Sequence, residues 1–181
     1  MSHVLLSLQN INKYIFKAYN QRFPALFVAE KIRIATYINH HVAIDLLIEH
    51  IGSTAVPNLG GKGIIDIVLS TNKTNLNAVS ALLKDLNYIF REIGSSSERW
   101  FFQADLPDLD EQVRRYHIHL TLPESMELKN LIAFRDYLRA NPTVAKEYED
   151  LKRHAAQEAD NDGTKYRQTK EPMIQEILKK I

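Results

Sequence analysis

Two short apolar segments, separated by a connection rich in glycine and proline, constrain the fold more than any other feature of this sequence. They run from Asp45 to Ile51 (DLLIEHI) and from Ile64 to Leu69 (IIDIVL). Their length, their β-branched content and the turn residues that flank them are typical of buried β-strands. The second segment carries Asp66 in the middle of its apolar run, and a charged group in a buried strand requires a partner.

The remaining periodicity predicts an α+β fold. Apolar residues at three- and four-residue spacing predict helices over residues 23–39 and 76–86. Residues 11–19, 87–94, 99–105 and 116–122 are rich in β-branched and aromatic residues, which predicts further strands of a mixed sheet with about five or six members. The acidic, proline-containing segment 104–112 predicts a solvated loop.

The character of the chain changes at Met126. Apolar residues return to helical spacing there, Asn141 and Pro142 predict the end of a first helix, and a second helix is expected over residues 143–159. A last helical segment is expected to be interrupted or started by Pro172. Since the sequence shows no internal repeat or flexible linker, we expect a single domain over residues 1–181, with a sheet-bearing part (1–125) and a helical part (126–181).

Composition limits the classes of function. With 45% apolar residues, the 181-residue chain can fill a hydrophobic core. Its 23 lysines and arginines nearly balance 22 aspartates and glutamates, so non-specific nucleic-acid binding is not expected. The sequence has no cysteine, which excludes thiol chemistry. It shows neither a membrane-spanning run nor a signal segment, and we therefore expect no membrane partner and a cytoplasmic location.

A phosphate site is predicted where the first of the two strands ends. Gly52 and Ser53 follow that strand directly. Glycine permits close approach to the backbone, and the N–H groups and hydroxyl of such a turn can bind a phosphate. Asp66 follows after a connection of 12 residues, on the same strand face as Ile64 and Val68. Its carboxylate is expected to be ion-paired, hydrogen-bonded, at the open end of the strand, or bound to a metal ion.

Several ordered motifs resemble one known family. The segments IEHIGSTAVP, KGIIDI, HIHL, FRDYLR, EYEDLK and KYRQTK are similar to the GrpB family of the DNA polymerase beta-like nucleotidyltransferase superfamily, and the match runs from about Tyr19 to the C-terminus. The resemblance implies a nucleotidyltransferase-like mixed sheet with flanking helices and a helical C-terminal section. It also implies that Gly52 and Ser53 hold nucleotide phosphates and that Asp66 binds Mg²⁺ or Mn²⁺.

The set of carboxylates departs from the superfamily pattern, in which a second acidic residue stands two positions after the first. This chain has Val68 there. Two-metal phosphoryl transfer uses several carboxylates, because ions only about 3.5–4 Å apart must be neutralised together. Glu49, His117 and His119 are the candidates to complete the site, as metal ligands or as a general base. We assign Asp66, Glu49 and His119 to catalysis, and Asp66 with both histidines to metal binding.

Basic residues supply the remaining candidates for phosphate binding. Arg135, in the FRDYLR motif, stands four residues before Arg139 on one predicted helix, and Lys62 precedes the strand of Asp66. Lys170 lies in the last helical segment, and Arg99 is a further candidate. Each can neutralise phosphate charge. We expect the helices after Met126 to wall a cleft and to bring Arg135 and Lys170 toward it.

Three functions are compatible with these residues. The first is a cytoplasmic, Mg²⁺-dependent nucleotidyltransferase that moves a nucleoside monophosphate from a nucleoside triphosphate to an unknown small-molecule or macromolecular acceptor. The second is a non-catalytic nucleotide- or coenzyme A-related binding module, for which the missing acid at Val68 is the main argument. The third is a metal-dependent hydrolase based on His117 and His119. In the first, Asp66, Glu49, His119 and the Gly52–Ser53 turn should converge on one cleft.

Overall fold

A computed structural model describes residues 15–160 and 162–181. The strands are β1 (Leu47–Ile51), β2 (Ile65–Ser70), β3 (Ile89–Phe90), β4 (Arg99–Asp108) and β5 (Gln112–Thr121). The helices are α1 (Phe23–His41), α2 (Leu76–Asp85), α3 (Met126–Ala140), α4 (Pro142–Glu158) and α5 (Gly163–Leu178). Short 3₁₀ turns cover Ser53–Ala55 and Lys73–Asn75. The α+β class is thereby confirmed, with its helical section at the C-terminal end of the chain.

The sheet is mixed, as predicted, with the strand order β1-β2-β5-β4-β3 in the described part of the chain. β2 is antiparallel to β1 and parallel to β5, and β4 is antiparallel to both of its neighbours. Residues 11–14 of the predicted strand 11–19 lie outside the described residues. Within its remainder, Lys17 forms an isolated antiparallel bridge with Gly61.

Alternation along β2 and β5 separates two faces of the sheet. One face carries Ile65, Ile67 and Leu69 with Ile118 and Leu120, all buried in the main core against α1 and α2. The other face turns toward the helical section. Because the side-chain period of a strand is two residues, Asp66, Val68, His117 and His119 share that second face.

The helical section covers part of the second face. Val68 packs there with Ile51 and with Leu128 of α3, and a separate apolar cluster joins α3, α4 and α5 around Leu138, Tyr148 and Ile177. Ser125 caps α3 and Asp162 caps α5. Pro172 neither starts nor interrupts α5, contrary to our expectation: the helix begins at the Asp162 cap and continues through the proline.

The acidic segment 104–112 is not a solvated loop, and that prediction was wrong. β4 continues to Asp108 and β5 begins at Gln112, so the segment forms the tip of a hairpin. Asp108 is buried against the guanidinium of Arg114, with a distance of 3.0 Å between Nε and Oδ2. It also accepts the backbone N–H groups of residues 110 and 111. These bonds satisfy a carboxylate whose charge alone predicted exposure.

None of the described helices combines the length and the apolar character that a membrane crossing requires.

Candidate functional site

A cleft of about 680 Å³ opens over the second face of the sheet, beside the helical section. Its floor is formed by residues of β2, β4 and β5, and its walls by the turn after β1 and by α3, α4 and α5. The lining includes eight of the sequence-predicted residues: Gly52, Ser53, Lys62, Asp66, Arg99, His117, His119 and Lys170. The cleft therefore unites most of the candidates that the sequence pointed to.

Gly52 brings the turn against the carboxylate of Asp66. Its φ of +70° lies in the left-handed region that favours glycine. A Cβ atom at this position would lie 2.5 Å from Oδ2 of Asp66. Any other residue would therefore strain the backbone and displace the carboxylate.

A buried hydrogen-bond chain holds the turn from behind. The hydroxyl of Thr54 donates to the carbonyl of Ile64 and lies 3.0 Å from Nε2 of His50. Because the hydroxyl proton is used in the first bond, Nε2 of His50 donates in the second. Burial lowers the pKa of His50 to about 4, so the ring is neutral at neutral pH. His50 thus supports the turn from the face opposite Asp66.

Gly61 creates a space that Ser53 shares with a lysine of α4. A Cβ atom on Gly61 would lie 2.7 Å from Oγ of Ser53 and 3.3 Å from Nζ of Lys152. The same ammonium group donates a hydrogen bond to the carbonyl of Gly60. The hydroxyl and the ammonium group are therefore directed to one region of the cleft.

Asp66 is held by two histidines across the parallel β2–β5 pair. Its Oδ1 lies 3.0 Å from Nδ1 of His117 and 3.9 Å from Nε2 of His119. Burial raises the pKa of Asp66, but the hydrogen bond from His117 and the proximity of His119 outweigh burial and hold that pKa below its usual range. Burial lowers the pKa of His119 more than Asp66 raises it. The carboxylate is thus ionised and hydrogen-bonded, one of the states expected from the sequence.

Phe101 completes the floor and was missed by the sequence analysis. Its ring packs edge-on against His117 and His119, with centroid distances of 4.8 and 5.2 Å. It stands opposite His119 in the β4–β5 register. The alternation of β4 could have revealed it, because Phe102 turns to the core and its neighbour must turn to the other face.

The donor set does not fit the two-ion site that the resemblance implied. Mg²⁺ prefers oxygen ligands in octahedral geometry. Asp66 supplies the single carboxylate of the lining, and its Oδ1 already accepts from His117. Within residues 15–160 and 162–181, no three histidine, aspartate or glutamate side chains are placed to hold a metal ion.

Glu49 does not reach the cleft, and neither does Arg135. The two side chains pair with each other, with 2.7 Å between Oε2 and Nη1. Arg135 also donates to the carbonyl of His50 and to Asp136. Glu49 faces α3 because it stands opposite Val68 in the β1–β2 register. The expectation that both would converge with Asp66 was wrong, since burial of this arginine between α3 and β1 requires their charges to neutralise each other.

Three lysines dominate the wall formed by α4, α5 and the segment before β2. Nζ of Lys62 lies 5.1 Å and Nζ of Lys170 lies 4.3 Å from the ring centroid of Tyr166. Nζ of Lys152 lies 5.1 Å from the ring of Tyr148. Such contacts with aromatic faces stabilise buried ammonium groups.

Burial and mutual repulsion affect the charge of these lysines. Burial, reinforced by Lys170, lowers the pKa of Lys152 to about 7. Burial, reinforced by Lys62, lowers the pKa of Lys170 to about 8. Burial also lowers the pKa of Lys62. Lys152 was missed by the sequence analysis although it ends the EYEDLK motif, because its helix showed charged residues on most faces.

The lining as a whole is basic. Beside the three lysines it contains Arg91, Arg99, Arg115 and Arg167, against the one carboxylate of Asp66. Two of these arginines are ion-paired, Arg99 with Glu127 and Arg115 with Asp105. A concave surface of one charge sign concentrates ligands of the other. The arrangement is therefore suited to a polyanion.

Comparison with known sequences gives the family. A profile of the GrpB protein family matches residues 14–180. UPF0157 protein YqkA of Bacillus subtilis is 31% identical over 160 residues, which cover 86% of this chain but only 43% of that protein. Glutamate-rich protein GrpB of Alkalihalophilus pseudofirmus is 30% identical over 176 residues, which cover 95% of this chain and 98% of that protein. The chain therefore spans less than half of the first relative and nearly all of the second.

Solved structures give the same result for the fold. The crystal structure of conserved protein GrpB from Enterococcus faecalis has a TM-score of 0.73 at 26% identity, over 92% of this chain and 98% of that chain. The MgGTP-bound Cid1 poly(U) polymerase has a TM-score of 0.56 at 10% identity, over 77% of this chain and 44% of that chain. For the GLD-2/RNP-8 complex the TM-score is 0.59 at 10% identity, over 89% and 59%. The chain belongs to the GrpB family, and its fold resembles that of nucleotidyltransferases.

Proposed function

We propose that the cleft binds a nucleoside triphosphate, or a related nucleotide, through its phosphate chain. The observation that carries this proposal is the convergence of the Gly52–Ser53 turn with the ammonium groups of Lys62, Lys152 and Lys170 in one basic cleft. The likeness of the fold to that of poly(U) polymerase, which was solved with MgGTP, supports a nucleotide as the source of the phosphates.

Each element of the cleft has a role in this binding. The backbone of the turn and the hydroxyl of Ser53 donate hydrogen bonds to phosphate oxygens. The lysines act as point charges of adjustable position. Asp66, together with His117, holds the turn and the floor in their relative positions through the contact with Gly52. This function corresponds to a nucleotide-binding module.

A second candidate is nucleotidyl transfer to an unknown acceptor, favoured by the hydrogen bond between Asp66 and Nδ1 of His117. A carboxylate in this position leaves Nε2 of the ring as a proton acceptor. An acceptor hydroxyl would lose its proton to Nε2, its oxygen would bond to the α-phosphorus, and the bond to pyrophosphate would break. His119 and Asp66 would then position the base.

Calorimetric titration with ATP tests the binding function, and release of pyrophosphate separates the two candidates. Wild type should bind ATP, and the single variants Ser53→Ala and Lys62→Met should each bind it more weakly. For a binding module, Asp66→Asn should bind ATP as tightly as wild type or more tightly, since a negative charge near the phosphates is lost. The transferase candidate predicts in addition that pyrophosphate is released from ATP, and His117→Gln, which removes the proposed base, should stop this release while ATP still binds.

Asp85→Asn, on an exposed aspartate at the end of α2, is the matched control and should leave binding unchanged. Thermal denaturation gives an independent measurement, because a ligand at a hundred times its dissociation constant stabilises the protein by about 2.7 kcal/mol. A wild-type protein that is neither titrated nor stabilised by any nucleoside triphosphate, with or without Mg²⁺, would show that the proposed function is wrong.

A further inference from the structure

We infer that Lys62, Lys152 and Lys170 take the place of a divalent cation, so that the ligand of the cleft is the metal-free polyphosphate and Mg²⁺ opposes its binding. This inference rests on the proposed function and states which ionic form of the nucleotide the cleft selects. It departs from the Mg²⁺ dependence that the family resemblance implied.

The charges of the lining favour an anion over a metal ion. A pair of divalent cations contributes four positive charges and requires several carboxylates around it. Here the one carboxylate, Asp66, faces three lysines and is already hydrogen-bonded to His117. An ammonium group is not a metal ligand while it is protonated, and it repels a cation. The lining is therefore composed for an anion that brings no metal with it.

The three ammonium groups line one wall of the cleft. Lys62 and Lys170 lie over the same ring, that of Tyr166, so their charges are held close together. Lys152 lies beside the hydroxyl of Ser53, across the space that Gly61 leaves open. Phosphate groups placed along this wall, starting at the Gly52–Ser53 turn, would each lie near an ammonium group.

Assembling these buried ammonium groups without a ligand costs free energy. Lys152 is 3% exposed, and its ammonium group donates to a backbone carbonyl rather than to a carboxylate. Like charges that are buried together destabilise a protein unless an anion joins them. The pKa values of Lys152 and Lys170 are lowered chiefly by burial and, in addition, by this repulsion. A bound polyphosphate neutralises the repulsion between the ammonium groups. The cleft therefore prefers the most highly charged form of its ligand.

In this scheme Mg²⁺ changes the charge of the nucleotide and not that of the cleft. Metal-free ATP carries about four negative charges at neutral pH, and Mg²⁺ neutralises about half of them. The complex therefore interacts more weakly with three ammonium groups, and the lining offers the metal ion a single carboxylate in return. We expect ATP to bind about tenfold more weakly in excess Mg²⁺ than in a chelator.

The experiment is calorimetric titration of the full chain with ATP, in EDTA and in excess MgCl₂ at equal ionic strength. Inorganic tripolyphosphate should displace ATP in EDTA, because the phosphate chain provides the affinity. Lys170→Met should lower the affinity for ATP in EDTA about tenfold and should reduce the difference between the two conditions. Lys170→Arg, which keeps the charge, should retain most of the affinity and guards against a folding defect in the methionine variant.

Lys165→Met is the matched control, because Lys165 is exposed on the same helix and does not line the cleft. It should bind ATP as wild type does in both conditions. Binding of ATP that requires Mg²⁺ would overturn this inference while leaving the proposed function intact. Absence of ATP binding in both conditions would instead overturn the proposed function, and the two failures are therefore distinguishable.

Discussion

Two sets of buried cations in this protein differ in whether a carboxylate neutralises them. Arg114 and Arg135 each lie against carboxylates, Asp108 and Glu49 respectively, and their side chains are 0% and 8% exposed. Lys152 is equally buried, but within the described part of the chain its ammonium group forms no ion pair. Buried charges are normally matched. The matched arginines join elements of the fold, whereas the unmatched charge marks the wall of the cleft.

The partners of a buried cation separate structural from functional charge in this protein. Arg135 belongs to a family motif, as does Lys152, so the motif alone does not distinguish them. Partners do: the guanidinium of Arg135 is satisfied by Glu49, by Asp136 and by the His50 carbonyl. Variants of the two sets should consequently separate, with effects on stability for the arginines and on ligand binding for the lysines.

The largest effect is expected at Asp108. Asp108→Ala leaves the guanidinium of Arg114 buried without its main partner, which should lower the free energy of unfolding by about 3–5 kcal/mol. Urea denaturation measures the change. Asp105→Ala removes an exposed pair with Arg115 and should cost less than about 1 kcal/mol. If both variants lost equally little, the matched arginines would not be the structural set.

Removing an unmatched cation should raise the free energy of unfolding instead of lowering it. Lys152→Met replaces a buried ammonium group by an apolar side chain of similar length, and we expect the unliganded protein to gain about 1–3 kcal/mol of stability while its affinity for ATP falls. Lys146→Met, on the exposed face of the same helix, should change stability by less than about 0.5 kcal/mol. A loss of stability in Lys152→Met would assign the ammonium group a structural role through the Gly60 carbonyl.

The stability of the unliganded protein should depend on pH in a way that identifies the lysines. The pKa of Lys152 is about 7 in the folded protein and 10.5 as its ordinary value. Between these values the unfolded chain holds more protons, so the free energy of unfolding should rise with pH, by about 3 kcal/mol from pH 7 to pH 10.

The groups that act on Lys152 are Lys170, Glu149 and Asp66, and Lys170 should contribute in the same direction because burial also lowers its pKa. Urea denaturation at each pH gives the curve, and Lys152→Met should flatten it. ATP binding should weaken over the same range, because both ammonium groups lose their protons. A stability that falls steadily from pH 7 would contradict the unmatched state of these lysines.

The smallest effect is expected at Glu49, a residue that the sequence placed in the site. Glu49 is partly exposed, and Arg135 keeps Asp136 and a backbone carbonyl when Glu49→Gln is made. The variant should lose about 0.5–1 kcal/mol of stability and should bind ATP as wild type does. A tenfold loss of ATP affinity at unchanged stability would show that Glu49 takes part in ligand binding. It would also weaken the contrast between the two sets of cations.

Local periodicity was enough to predict most of the architecture. The two-residue period of β5 placed His117 and His119 on one face, and the structure confirms it, since Ile118 and Leu120 lie in the core on the other face. The period of α1 and the proline at its start gave a helix that the structure extends to His41. The turn of Gly52 and Ser53 and the position of Asp66 were likewise local, because strand ends and glycine conformations depend on neighbouring residues.

Local patterns are therefore sufficient to predict the α+β class, the faces of the strands and, apart from Phe101, the candidate residues of the floor. Which charges are matched depends instead on tertiary packing. Arg135 and Glu49 are 86 positions apart, and Lys152 meets the Gly60 carbonyl across 92 positions. Such pairings depend on how α3 and α4 pack on the sheet, which no local pattern encodes. The acidic tip of the β4–β5 hairpin was predicted to be a loop for the same reason. The charge of Asp108 is neutralised by Arg114 only after the two strands have paired.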